Sequence, residues 1–195
     1  LPASPRLPYG CEEPTISIRT DGSNARTASI RLTAAITLIS IVFCGYEVVG
    51  LDLQPGEGAI QADLLNPEQI KATVKQAKPD AVFHLAGQAD VAKSWKIPQR
   101  TMEINVIAAV NLMEAVRVFD PSMRMVLVGS SDQYGNLGEA GRLVSEALET
   151  HPQTPYAVSK KAQEEMARVY VRAYGMNICM TRSFNHGGAG QRLGF

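Results

Sequence analysis

The sequence carries no excess charge of either sign: 19 Lys and Arg stand against 19 Asp and Glu. That excludes a surface built to attract nucleic acid or an anionic membrane by bulk charge. Cysteine is scarce, and Cys11, Cys44 and Cys179 are odd in number and far apart. Neither a disulfide framework nor a cysteine metal site follows from that spacing, so no metal is expected and a reducing, cytoplasmic setting is the simpler reading. The apolar stretch Leu32 to Cys44, with Arg26 and Arg31 upstream, is too short for a membrane span, which takes about 20 residues. It resembles a signal-peptide core but lies too deep in the chain, and Phe43 before Cys44 is too large for lipoprotein cleavage. We read it as a buried helix and strand, not a membrane tether. What remains is a globular composition: 45% of the 195 residues are hydrophobic, enough for a sizeable core.

The start of the chain differs from the rest. Pro2, Pro5, Pro8 and Pro14 crowd it, and the residues up to Arg31 show neither helical nor strand period. From Tyr46 the pattern becomes regular. Apolar runs at Tyr46–Leu51, Ala81–Leu85, Met125–Val128 and from Ile178 read as strands. Pro67–Lys78 reads as a helix capped by Asn66, Pro98–Val118 as a helix with Met102, Val106, Ala109, Val110, Met113 and Val116 on one face, and Tyr156–Tyr174 as a helix with Ala162, Met166, Val169 and Ala173 inward, closed by Gly175. Strands apolar on both faces, alternating with helices, predict an α/β fold: a doubly wound parallel sheet of βαβ units.

In such a sheet ligands bind at the carboxyl ends of the strands. Asp52 falls there. A carboxylate at that point can hydrogen-bond both ribose hydroxyls of an adenosine and repel a 2′-phosphate, which leans the cofactor toward NAD over NADP. A solvated strand-end Asp would look the same. The phosphate-binding loop belongs about 20 residues earlier, yet no glycine occurs between Gly22 and Gly45. Without glycine, a Cβ blocks the approach of backbone amides to a pyrophosphate. Residues 1–44 therefore read as an irregular or non-homologous lead, not an intact first strand and glycine loop. A frame error, a gene fragment or a decayed copy would each produce that.

Tyr156 and Lys160 stand four apart at a helix start, so their side chains share one face. A free phenol ionises at a pKa of about 10, and a neighbouring ammonium favours phenolate. Tyr156 could then act as acid and base on a carbinol or carbonyl. Gly129-Ser130-Ser131-Asp132-Gln133-Tyr134-Gly135 follows the Met125–Val128 strand, where Ser130 could hydrogen-bond the reacting oxygen. A strand-end turn is the plainer reading of those residues alone. The two motifs 26 residues apart, from Ser130 to Tyr156, are far more specific together.

This arrangement resembles the extended short-chain dehydrogenase/reductases, in their nucleotide-sugar branch, over roughly Gly45 to Phe195. The resemblance implies a partial NAD(P)-binding Rossmann-like domain over 45–195 with a truncated substrate lobe, so the length argues for a fragment of a longer enzyme. His84-Leu85-Ala86-Gly87-Gln88 is similar to the family's strand end beside the cofactor, although Gly87 stands where a second Ala is common. Asp63-Leu64 resembles the adenine-contacting pair, and Asn105 matches the helix Asn that supports the site. Thr181 to Gln191 is similar to the R-x-F-N-H-x-G-P-G-Q segment of GDP-6-deoxy-4-keto-mannose reductases and, more loosely, of GDP-mannose 4,6-dehydratases, with Ala189 in place of Pro. The resemblance implies that Asn185 and Ser130 touch substrate, that Tyr156, Lys160, Ser130 and Asp132 carry the chemistry, and that Asp52, Asp63, Leu64, Leu85, Ala86, Gly87, Asn105, Tyr156 and Lys160 hold or support NAD or NADP. It implies a GDP-hexose substrate, reduced at its 4-keto carbon. Dehydration of GDP-mannose, another nucleotide-sugar epimerase or dehydratase activity, and an inactive fragment stay open. So does a homodimer through the helices Pro98–Val118 and Tyr156–Tyr174.

Overall fold

The computed structural model describes residues 49–53, 59–137 and 143–185. The lead over 1–44, the apolar stretch from Leu32 to Cys44, the start of the Tyr46–Leu51 run and the segment from His186 onward lie outside the described residues.

Strands β1 (Gly50–Asp52) and β2 (Ala59–Gln61) pair in parallel. Helix α1 (Pro67–Ala77) begins as its sequence predicts: Asn66 accepts the Gln69 N–H at 3.2 Å and Pro67 takes the first helical position. A second parallel group consists of β3 (Ala81–His84), β4 (Arg124–Val128) and β5 (Ile178–Thr181), with β4 in the middle and His84, Leu127 and Met180 in register. The β3–β4 connection contains α2 (Val91–Lys96), α3 (Pro98–Met102), a π-helical turn (Glu103–Ile107) and α4 (Ala108–Phe119). The β4–β5 connection contains α5 (Pro155–Tyr174).

Apolar burial joins these parts. Ile70 and Val74 of α1 meet Leu112, Met113 and Val116 of α4, Met125 and Leu127 of β4, and Ala167 and Tyr170 of α5 in one core. Asn111 of α4 donates to the Leu64 carbonyl at 2.9 Å, which ties the segment after β2 to the helix layer. All connections return each parallel strand to the same direction, so the ends of β3, β4 and β5 open on one edge.

Two helices differ from their expected faces. The Pro98–Val118 helix is interrupted by the π-helical turn, which adds a residue to one turn and rotates the rest of the helix about its axis. Met102 is left at the surface, while Asn105 is fully buried. On α5, Val169 and Ala173 face solvent. The buried face instead carries Tyr156, Ser159, Lys160, Gln163, Glu164, Ala167 and Tyr170. Polar side chains occupy the inward stripe, so an apolar count selects a neighbouring one. Among the described residues, no helix is long and apolar enough to cross a membrane.

Candidate active site

Strand β4 ends at Val128 and runs into Gly129. A Cβ on Gly129 would collide with the Thr181 carbonyl oxygen and come within 2.9 Å of Gln133 Nε2, so only glycine lets β4 and β5 approach this closely here. The Ser130 hydroxyl accepts the Asp132 N–H at 3.2 Å and opens a 3₁₀ turn, Ser131–Tyr134. The turn closes at Gly135 with φ 71°, a left-handed conformation that suits glycine.

Helix α5 starts beside it. Thr154 accepts the Ala157 N–H at 3.0 Å, and the Tyr156 N–H, a first-turn donor with no partner inside the helix, donates to Ser94 Oγ at 3.2 Å. Tyr156 and Lys160 both lie on the buried face. The Ser130 hydroxyl lies near enough to the Tyr156 phenol to favour its ionised form. Lys160 Nζ donates to the Val128 carbonyl at 2.8 Å and to Gln163 Oε1 at 3.3 Å, which pins the ammonium at the end of β4.

Asn105 braces this pair from behind. Its Oδ1 accepts the Gln88 N–H at 2.7 Å, and its Nδ2 donates to the Gln88 carbonyl at 3.1 Å and to Ser159 Oγ at 2.8 Å. Ser159 in turn donates to the Tyr156 carbonyl at 2.7 Å. The loop after β3 is thereby fastened to α5. A Cβ on Gly87 would lie 3.1 Å from Asn105 Oδ1 and 3.5 Å from Lys160 Nζ, so this loop passes directly beside the ammonium. An exposed strand-end backbone at the carboxyl edge of a parallel sheet is a place a dinucleotide could take, and Ala86, Gly87 and Lys160 are the residues that would line it.

Burial dominates the electrostatics. It pushes the Tyr156 phenol above its ordinary range; the Ser130 hydroxyl acts against that, and the Asp132 charge adds to it. Burial pulls Lys160 down to about 8. Burial and then the Lys160 charge pull His84 down to about 4, so His84 is neutral at pH 7. At neutral pH the phenol is therefore protonated and the ammonium mostly charged; burial outweighs any pull toward phenolate, and Lys160 is not among the groups that shift the phenol, contrary to what the one-turn spacing suggests.

The site residues expected from sequence fall into two groups. Leu85, Ala86, Gly87, Asn105, Ser130, Asp132, Tyr156 and Lys160 gather at the carboxyl ends of β3 and β4. Asp52, Asp63 and Leu64 lie at the ends of β1 and β2: Asp52 is exposed, and Asp63 Oδ1 accepts the Leu65 N–H at 2.8 Å in a tight turn. Asn185 is exposed, past the end of β5. Sequence reasoning missed Ser94, Gln88 and Glu164. Gln88 locks its own loop, accepting from the Asp90 N–H at 2.6 Å and donating to Thr101 Oγ1 at 3.3 Å. Glu164 binds Arg182, 18 positions away. The Q-x-D spacing of Gln88 and Asp90 is a readable local signal; the other two partnerships are tertiary.

A family model described as GDP-mannose 4,6 dehydratase matches residues 52–195. GDP-6-deoxy-D-mannose reductase of Pseudomonas aeruginosa is 38% identical over 133 residues, covering 68% of this chain and 43% of that protein. GDP-mannose 4,6 dehydratase 2 of Arabidopsis thaliana is 35% identical over 129 residues, covering 64% of this chain and 34% of that protein. The chain thus spans less than half the length of these relatives. Among solved structures, RMD from Pseudomonas aeruginosa complexed with NADPH superposes with a TM-score of 0.65 at 37% identity, covering 70% of this chain and 47% of that one. UDP-glucose 4-epimerase of Thermus thermophilus in complex with NAD gives 0.68 at 28% identity, covering 74% and 49%. The chain belongs to the GDP-mannose 4,6-dehydratase family, within the nucleotide-sugar branch of the extended short-chain dehydrogenase/reductases.

Proposed function

We propose that the chain carries the catalytic half of an NAD(P)-dependent reductase acting on the 4-keto carbon of a GDP-6-deoxyhexose. The observation that supports this most directly is that Ser130 and Tyr156 come together at the end of β4, with Lys160 pinned beside the Gly87 loop. A bound reduced nicotinamide would supply hydride to the keto carbon. Tyr156 delivers the proton to the carbonyl oxygen, so the ketone becomes an alcohol. Ser130 polarises that oxygen by hydrogen bonding, and Lys160 holds ribose. Asn185, beyond β5, touches the sugar-diphosphate side. Asp52 supports NAD, whereas the reductase from Pseudomonas aeruginosa was solved with NADPH. Asp63 and Leu64 flank the adenine. The apolar side chains left at the surface of the Pro98–Val118 and Tyr156–Tyr174 helices, Met102 and Val169 among them, support a homodimer.

Dehydration of GDP-mannose is the second reading, favoured by the description of the matching family model. It requires a base for the carbon-five proton, and Asp132 is the carboxylate nearest in sequence to Ser130. Calorimetric titration of the chain with NADH, NADPH and GDP-mannose, followed by mass spectrometry of products from GDP-mannose and from its 4-keto derivative, tests both. Reduction of the 4-keto sugar without turnover of GDP-mannose is the expected result. Turnover of GDP-mannose to the 4-keto product selects the dehydratase, and no binding at millimolar concentration sinks both.

A further inference from the structure

Arg182 stands one residue past β5, and three segments converge on it. Its Nε donates to Glu164 Oε2 at 2.9 Å and its Nη2 to Glu164 Oε1 at 2.7 Å, a two-point grip on the carboxylate. Its Nη1 donates to the Glu146 carbonyl at 3.2 Å. The face of its guanidinium lies 4.9 Å from the centroid of the Tyr134 ring, and that ring is stacked on Phe184 at 6.3 Å. The side chains of Arg182 and Glu164 are only 10% and 4% exposed. Arg168 also binds Glu164, but its own side chain is 44% exposed and keeps its water.

The placement of these partners gives the pair a role beyond packing. Glu164 sits one helical turn after Lys160 on the buried face of α5. Tyr134 ends the turn that Ser130 opens. Arg182 therefore joins the two elements that carry the acid–base groups, and it directly precedes Ser183, Phe184 and Asn185. Phe184 and Asn185 are exposed, so burial alone does not fix their position. What holds the segment is the Ser131 N–H to Ser183 carbonyl bond at 2.9 Å, the Tyr134–Phe184 stack and the anchored Arg182. A guanidinium fixed at two points has a defined plane, which a lysine in its place would not supply.

We propose that Arg182, clamped by Glu164 and backed by Tyr134, is a positioning residue that registers the Phe184–Asn185 segment, and the sugar-nucleotide it contacts, to the Tyr156 acid–base group. The inference rests on the functional reading above. On the cofactor side, Lys160 has its own bonds to Val128 and Gln163, and the Gly87 loop is fastened through Asn105, so loosening the clamp acts first on the sugar-nucleotide side.

Hydrogen exchange of the whole chain tests this without ligand, comparing Glu164→Gln and Tyr134→Leu with the unaltered protein. Faster exchange at the Ser131 amide, whose N–H is held by the Ser183 carbonyl, by about tenfold or more, with unchanged rates around Gln88 and Ser159, is the expected result. Tyr134→Leu keeps the ion pair, so it carries the test where Glu164→Gln fails to fold. An unchanged rate at the Ser131 amide, or an increase spread evenly over the core, overturns the proposal. Titration with GDP-mannose adds a second readout: affinity should weaken about tenfold, the worth of one hydrogen bond, while NADH and NADPH binding stays as in the parent. Equal loss of both affinities, or of neither, overturns the proposal. If the unaltered chain binds no GDP-mannose, the functional reading fails, and the exchange pattern still decides whether Arg182 positions the segment.

Discussion

Tyr156 and Asp132 sit on either side of Ser130 in function, and their neighbourhoods separate their roles. The phenol is held protonated by burial, against the pull of the Ser130 hydroxyl, so in the proposed reaction it is the donor. Tyr156→Phe removes the hydroxyl and little volume. It should leave cofactor binding intact and lower turnover by about a hundredfold or more, the usual reach of a positioned acid. Turnover within a few-fold of the parent, in this chain or at the matching position of a full-length relative, would remove Tyr156 from that role. Asp132 is half-buried, and its charge already acts on the phenol. Asp132→Asn keeps the shape and removes the charge. For a reductase, ketone reduction should fall only slightly; an enzyme that instead loses all turnover of GDP-mannose was using Asp132 as a base, and product analysis tells the two apart.

The π-helical turn between α3 and α4 is the element on which the site's geometry depends most. It directs Asn105 inward, where the amide meets Gln88 and Ser159 at once. Asn105→Ala would strand two buried polar groups, the Gln88 N–H and carbonyl, and leave the Ser159 hydroxyl with its bond to the Tyr156 carbonyl alone. Urea denaturation should show a loss of about 3 kcal/mol, and the Gln88 amide should exchange faster. A loss below about 0.5 kcal/mol would mean that water replaces the brace at no cost. This turn also marks where sequence reading stops. The strands at Ala81–His84 and Arg124–Val128 show as apolar runs, α1 shows by its Asn66 cap, and Tyr156 with Lys160 show by one-turn spacing. A one-residue excess in a helical turn leaves no mark in an apolar periodicity, so that periodicity puts Met102 on the inner face. The inner face of α5 misleads for a related reason: it is lined with Lys160, Gln163 and Glu164, whose ammonium, amide oxygen and carboxylate pair with one another or with distant partners. Arg182–Glu164 and Ser94–Tyr156, 18 and 62 positions apart, exist only once the chain has folded.

Three buried or nearly buried groups tilt the stability of the whole molecule in one direction. His84 titrates at about 4 instead of 6.5, through burial and then the Lys160 charge, and Lys160 at about 8 instead of 10.5, through burial. For Glu164 burial resists ionisation, but the hydrogen bonds and charges of Arg182 and Arg168 prevail and bring it to about 2 from 4.5. In each case the unfolded chain holds its proton to higher pH than the folded one, so stability rises with pH across the interval between the two values. Glu164 contributes its full share above pH 4.5 and loses it as pH falls toward 2. His84 gives a rise of roughly 3 kcal/mol from pH 4 to 6.5, and Lys160 one of similar size from pH 8 to 10.5. Beyond pH 10 the sign reverses. Burial holds the Tyr156 and Tyr170 phenols protonated, with the Glu114 hydrogen bond acting as well on Tyr170, so the folded state then resists ionisation that the unfolded chain accepts. Urea midpoints should therefore climb in two ranges, below pH 6.5 and from pH 8 to 10.5; His84→Gln should flatten the first between pH 4.5 and 6.5, above the reach of Glu164, while Lys160→Met flattens the second. Catalysis runs the other way in the upper interval. In the proposed reaction the ammonium form of Lys160 holds the cofactor's ribose, and that form is lost as pH rises through about 8. Between pH 8 and 10 the protein should thus grow more resistant to urea while its turnover declines. Opposite slopes measured on one preparation tie both effects to the same buried lysine; turnover and urea midpoint rising together would break that link.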